Sequence, residues 1–204
     1  DARNSRFTAI YLHGASGNLG NSVDALAQLH HAGLNVLAFD YRGYGKSQFV
    51  RPSEAHWRED ADSALQYLTR TRHIAPEAIV MVGSGLGANL ALEVAAAHPE
   101  LAGVVLEEPL LNPINAIFND PRTHLVPAHI LVKDRWDSSA AAADLLIPSL
   151  WFAQAGVDDS GEKEEFNKVT ATKMLFWLSA GGSEQQKDVM KALSRWLDGL
   201  PGHP

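Results

Sequence analysis

Short apolar runs rich in β-branched residues alternate along the chain with longer segments of helical period, the pattern of parallel strands joined by crossover helices. Phe7 to Leu12, Asn35 to Asp40, Ile79 to Val82, Gly103 to Glu107, Ile147 to Ala153 and Lys173 to Leu178 read as six strands. Between them, Ser22 to His31 reads as a helix with Val23, Leu26 and Leu29 on one face. Ser53 to Thr71 reads as a helix capped by Ser53, with Glu54, Glu59 and Asp60 early and Arg70 and Arg72 at its end, charges that suit the helix dipole. Leu86 to His98 is an Ala-rich helix stopped by Pro99, and Gln185 to Leu197 is a closing amphipathic helix. The Pro-punctuated stretch from Pro109 to Pro127 lacks periodicity and reads as irregular. No internal repeat appears, and the alanine run Ala140 to Ala143 is the one tract of low complexity.

Composition narrows the class. With 204 residues, 46% of them hydrophobic, the chain is long enough for one well-buried core and too short to demand two, so residues 1–204 are expected to form a single domain. Lys plus Arg number 17 against 24 Asp plus Glu, a net charge of -7 with no long block of either sign. That balance argues against a nucleic-acid or anionic-membrane partner. Without Cys there is no disulfide framework, thiol nucleophile or thiolate metal site. No apolar run reaches the length of a bilayer span and nothing at the N-terminus reads as a signal peptide, so a soluble protein is expected, with the compartment, cytoplasmic or exported, left open. With Asp1 in place of Met, an upstream segment is expected that was removed, trimmed or left outside the structure, and any targeting signal with it.

Three stretches carry a family likeness. His13-Gly14-Ala15-Ser16-Gly17-Asn18 looks like an HG-x-x-G-N loop that follows a buried strand and supplies one oxyanion-hole amide. Phe39-Asp40-Tyr41-Arg42-Gly43-Tyr44-Gly45-Lys46-Ser47 is similar to an F-D-x-R-G-x-G-x-S segment, in which the glycines permit a tight turn and the Asp and Arg brace the loop. Gly83-Ser84-Gly85-Leu86-Gly87-Ala88 sits between a strand and a small-residue helix, where a nucleophile elbow belongs. In this order the motifs resemble the α/β-hydrolase superfamily, in particular its serine aminopeptidase-like and monoacylglycerol-lipase-like branch. Lys133 to Ser138, leading into Ile147 to Leu150, resembles the segment that carries such a chain past its cap. The resemblance implies an α/β fold with a mostly parallel central sheet, helices on both faces and a small irregular cap over about 109–146, the family's first strands falling before Asp1.

Where the chemistry should sit, the side chains differ from the pattern. The elbow of such an enzyme is G-x-S-x-G, and counting from Gly83 puts Gly85 at the nucleophile. Ser84 is the adjacent surrogate, but the residue before the nucleophile points away from the cleft, and its simpler role is a turn hydroxyl bonded to nearby backbone. The acid turn H-G-x-x-D corresponds to Ala153 to Asp159, which puts Val157 in register and Asp158 one step late; a loop slip would present Asp158, and an exposed acidic loop with Asp159 and Glu162 is the other reading. Glu107 and Glu108 end a strand after which some members carry an alternative acid, and could equally brace the segment that follows. The general base of a G-x-G-H turn corresponds to Ser183, which cannot accept a proton near neutral pH as imidazole does. His203 reads as a tail residue, and His124 and His129 fall in the cap.

The triad positions are therefore Gly85, Asp158 and Ser183, while His13, Gly14, Ala15 and Leu86 form the expected oxyanion loop and helix start. Backbone amides there could hold a carboxylate or carbonyl oxygen without any catalytic side chain. The expectation is a hydrolase-like protein that binds a small acyl or carboxylate ligand, or a protein partner, without turnover. The competing reading is an active hydrolase of small esters, amides or thioesters, built on Ser84 with His124 or His129. A purely structural or interaction domain, suggested by the apolar Leu145-Leu146-Ile147 and Trp151-Phe152, is a third. No metal is implied by the spacing of His and carboxylate residues, and no nucleotide cofactor, because G-x-G-x-x-G fails at Ala88.

Overall fold

Six parallel strands stack in the order β2-β1-β3-β4-β5-β6 to form one open sheet. A computed structural model describes residues 5–16, 18–109, 138–154, 160–178 and 182–201. The strands are β1 (Thr8–Leu12), β2 (Asn35–Ala38), β3 (Ile79–Ser84), β4 (Gly103–Glu107), β5 (Ser149–Gln154) and β6 (Lys173–Leu178). The helices are α1 (Val23–His31), α2 (Glu54–Gln66), α3 (Leu86–Ala97), α4 (Ser138–Asp144), α5 (Ser160–Lys168) and α6 (Gly182–Asp198). A strand covered on both faces needs apolar residues at successive positions, which is why Ile79-Val80-Met81-Val82 reads as an unbroken run.

Alternation divides that run between two cores. Ile10, Leu12 and Met81 face α2, α3 and α4, whereas Ala9, Tyr11 and Val82 face α1 and α6. The α3 helix is buried almost all round, and its small residues let it lie directly on the sheet. A Cβ at Gly87 would overlap the Leu12 carbonyl oxygen and lie 2.6 Å from that of His13. This close approach fixes the start of α3 over the C-terminal ends of β1 and β3, where open α/β sheets keep their ligand crevice.

Several expectations are corrected. Val23 is 58% exposed while Leu29 is 6% exposed, because three-residue steps drift around a helix and leave the first member outside the stripe. β2 stops at Ala38, two residues early, where Asp40 turns aside to accept a hydrogen bond from the Leu19 N–H at 2.8 Å. Helix α2 passes into one π-type turn at Tyr67–Thr71. β5 begins at Ser149, and of the preceding apolar triplet Leu145 and Ile147 are buried but Leu146 is 68% exposed. The tail of the expected irregular cap is helix α4, packed on α3 through Ala141 and Ala142, while residues 110–137 lie outside the described ones. Helix α5 has no counterpart in the periodicity reading.

Candidate functional site

The turn from β3 into α3 has the backbone of a nucleophile elbow with glycine at its apex. Gly85 holds φ 56°, ψ −124°, a region that side chains enter only at a cost, and its N–H donates to the Glu107 carbonyl oxygen at 2.9 Å. The flanking glycines are fixed by contact, since a Cβ at Gly83 would overlap the Gly87 carbonyl and one at Gly87 would overlap that of Leu12. At Gly85 itself a Cβ would meet no described residue within 4 Å. Among the described residues nothing crowds the apex, and the demand for glycine there is the positive φ alone.

The loop after β1 lies against this turn, a Cβ at Gly14 falling 3.3 Å from the Ser84 carbonyl oxygen. Ala15 is exposed, and the Leu86 N–H belongs to the first turn of α3, whose amides have no partner within the helix. His13 is 2% exposed and points away from solvent. Its Nδ1 donates to the Gly14 carbonyl at 2.8 Å, its ring centroid lies 4.5 Å from that of Tyr41 and 5.3 Å from that of Tyr44, and the Tyr41 hydroxyl donates to the His13 carbonyl at 3.2 Å. Nε2 finds no hydrogen-bond partner and stops 3.6 Å from Asp40 Oδ1. Burial holds the His13 pKa below its ordinary value, against the upward pull of the Gly14 carbonyl and Asp40. The imidazole braces the loop from inside. Asp40 and Arg42 brace it from the other side: Arg42 donates from its backbone N and its Nε to the Asp60 carboxylate at 2.8 and 2.6 Å, and Ser47 Oγ donates to the Asp40 carbonyl.

The Ser84 hydroxyl is hydrogen-bonded with the Glu107 side chain. β3 and β4 set the two residues in register, so their side chains lie on the same face of the sheet. Desolvation and the neighbouring Glu108 charge push the Glu107 pKa above its ordinary value, and the Ser84 hydrogen bond draws it partly back. Tyr11, on the same face, is hydrogen-bonded with Ser22. Glu108 adopts φ 50°, unusual for a residue with a side chain, and accepts from Gln154 Nε2 at 2.8 Å. One further feature escaped sequence reasoning. Asn89 Nδ2 donates to Ser138 Oγ at 2.9 Å and Ser138 Oγ donates to Glu165 Oε1 at 2.9 Å, a buried polar chain across α3, α4 and α5 whose one sequence signal is an Asn inside an apolar helix. Asp158, Val157, His124, His129 and His203 lie outside the described residues, and Ser183 is the second residue of α6.

The model of the family described as serine aminopeptidase, S33, matches residues 3–172. The chain belongs to this family of α/β-hydrolases. Relatives of this S33 chain include the alpha/beta hydrolase domain-containing protein 17C of Mus musculus, 34% identical over 123 residues, which are 59% of this chain and 38% of that protein. An uncharacterized protein of Mycobacterium tuberculosis is 32% identical over 152 residues, 74% of this chain and 52% of its own length. The S33 chain thus spans between about a third and a half of the curated relatives it matches. Among solved structures, an α/β-hydrolase of Vibrio vulnificus superposes with a TM-score of 0.71 at 23% identity over 94% of this chain and 72% of its own. The esterase Pf2001 of Pyrococcus furiosus does so with 0.73 at 19% over 98% and 83%. These likenesses establish the fold. Among the described residues no helix is long and apolar enough to cross a membrane, and no group of three His, Cys, Asp or Glu could hold a metal ion.

Proposed function

We propose that this S33 α/β-hydrolase-fold chain does not carry out Ser-His-Asp chemistry and uses the elbow cleft to bind a small acyl or carboxylate ligand. The observation that carries the reading is the glycine at the elbow apex, where Gly85 presents no atom that could attack a carbonyl while Gly83 and Gly87 keep the turn in shape. Ser183 in the position of the general base and Asp158 one step past the position of the acid agree with it. The amides of Ala15 and Leu86 would receive the ligand oxygen, a task that needs no side chain. A protein segment ending in a carboxylate is the macromolecular version of the same ligand.

A hydrolase rebuilt on Ser84 would need a base beside that hydroxyl, and among the described residues the group beside it is the Glu107 carboxyl. Incubation of the folded protein with a reactive fluorophosphonate, followed by intact mass, separates the two readings. No adduct is expected. A stoichiometric adduct on Ser84, Ser183 or any other serine would make the protein a working serine hydrolase and end this proposal.

A further inference from the structure

His13 is buried between two loops, its own after β1 and the one that follows β2. A carbonyl oxygen only accepts, so the 2.8 Å contact with the Gly14 carbonyl puts the proton of the neutral imidazole on Nδ1 and leaves Nε2 a bare lone pair. That lone pair faces Asp40 Oδ1 at 3.6 Å, acceptor towards acceptor, and has no hydrogen-bond partner among the described residues. An unsatisfied nitrogen at this depth is a cost that calls for an explanation. Two neighbouring donors are committed elsewhere, the Tyr41 hydroxyl to the His13 carbonyl and the Leu19 N–H to Asp40 Oδ1 at 2.8 Å. The loop after β2 also brings Tyr41 and Tyr44 to the ring, both kept neutral by burial. Helix α2 brings Trp57, and its Asp60 takes Arg42, while the first two turns of α3 carry no ionisable residue.

We propose that His13 and Asp40 form a proton-operated latch behind the loop that carries the Ala15 amide. One proton from solvent on Nε2 turns the facing acceptors into a charge-assisted hydrogen bond. Closing from 3.6 Å to the roughly 2.7–2.9 Å of such a bond draws the loop that begins at His13 towards the loop that begins at Asp40. Asp40 Oδ1 then serves His13 and the Leu19 N–H together, so the residues on either side of the Ala15 amide are tied to one carboxylate. Gly14 packs against the Ser84 carbonyl, and the latch therefore sets how firmly Ala15 is held beside the elbow. Burial resists the proton, so the latch is open at neutral pH and closes in acid, below the ordinary histidine range. It goes beyond the binding reading above and stands whatever the cleft takes, because its output is the loop itself.

The test follows the His13 ring and the backbone amides of isotope-labelled protein by NMR between about pH 8 and about pH 4.5, the ring being identified by its contacts with the Tyr41 and Tyr44 rings. The ring is expected to titrate below the ordinary histidine value, with a slowly exchanging Nε2 proton emerging in the acid form and the Ala15 and Leu19 amides shifting at the same midpoint. Asp40→Asn keeps an acceptor for the Leu19 N–H, removes the countercharge and offers Nε2 an amide donor that favours the neutral ring. Its midpoint should fall further and the Nε2 proton signal should be lost. A ring that stays neutral until the protein unfolds overturns the proposal, and so does a ring that titrates while the Ala15 and Leu19 amides stay still. Both outcomes are read on the wild type, so the test holds even if Asp40→Asn fails to fold. A folded Asp40→Asn protein with an unchanged midpoint and a retained Nε2 proton overturns it equally.

Discussion

Gly85 and Gly87 sit two residues apart on one turn, yet replacing each with alanine should have very different consequences. At Gly85 a Cβ finds nothing within 4 Å, so the cost is only that of holding a side chain at φ 56°. That strain is about 1–3 kcal/mol. For a domain of this size each kcal/mol moves Tm by roughly 2–4 °C, so Gly85→Ala should melt about 2–12 °C below the wild type. At Gly87 the new methyl meets the Leu12 and His13 carbonyls, which are held in β1 and in the loop behind it and cannot rotate away. Relief requires α3 to lift from the sheet, uncovering side chains such as Leu90 and Leu92 that are wholly buried. Losses above about 4 kcal/mol belong to this kind of overpacking. Calorimetry or far-ultraviolet circular dichroism on both variants measures the contrast, and failure of Gly87→Ala to fold falls on the expected side. The reasoning is refuted by a Gly87→Ala protein as stable as the wild type, or by a Gly85→Ala protein that is unaffected or is lost altogether.

Two other outcomes follow from the same strand ends and from the buried polar chain. Because the folded state raises the Glu107 pKa above its unfolded value, the folded state binds that proton more tightly, and stability is lost as pH rises through the folded pKa. Glu107→Gln cannot ionise, so it should gain on the wild type in urea unfolding at pH 7–8 and lose that advantage towards pH 4; a gap independent of pH would show that the carboxyl does not titrate as argued. Ser138→Ala removes the acceptor of Asn89 Nδ2 and the donor to Glu165 Oε1, and should cost about 1–3 kcal/mol in the same assay, against much less for Ser139→Ala, where only the Lys168 Nζ contact is lost.

What could be read from the residues depended on how far their physics is local. The central strands were legible because burial on both faces forces consecutive apolar residues, as in Ile79 to Val82, and α2 because the Ser53 cap marks its start through the His56 N–H. Helix α5 was not, since Ser160 to Lys168 carries one aromatic, Phe166, among polar residues and shows no apolar stripe. Its reason to be helical is tertiary: Phe166 meets Trp151 edge-on at 5.8 Å and Glu165 is buried against Ser138. Helix α4 reads as an alanine tract until Ala141 and Ala142 are seen packed in the core with α3. Gly85 at the elbow apex followed from the spacing of three glycines, but the pairing of Ser84 with Glu107 depends on the register between β3 and β4, which no local pattern encodes.

That register also weighs against treating the acidic pair as filler. Glu108 occupies a left-handed conformation that costs roughly 1–2 kcal/mol for a residue with a Cβ, and it does so beside a second carboxyl at the end of β4. Glycine at 108 would relieve the strain and glutamine at 107 would relieve the charge, each without disturbing the backbone bonds Gly85 N–H to Glu107 and Glu108 N–H to Phe152. A fold that needed only to be stable would favour both changes. Both costs fall at the strand end tied to the Gly85 N–H, and the pH dependence of the Glu107→Gln comparison separates the charge from the strain.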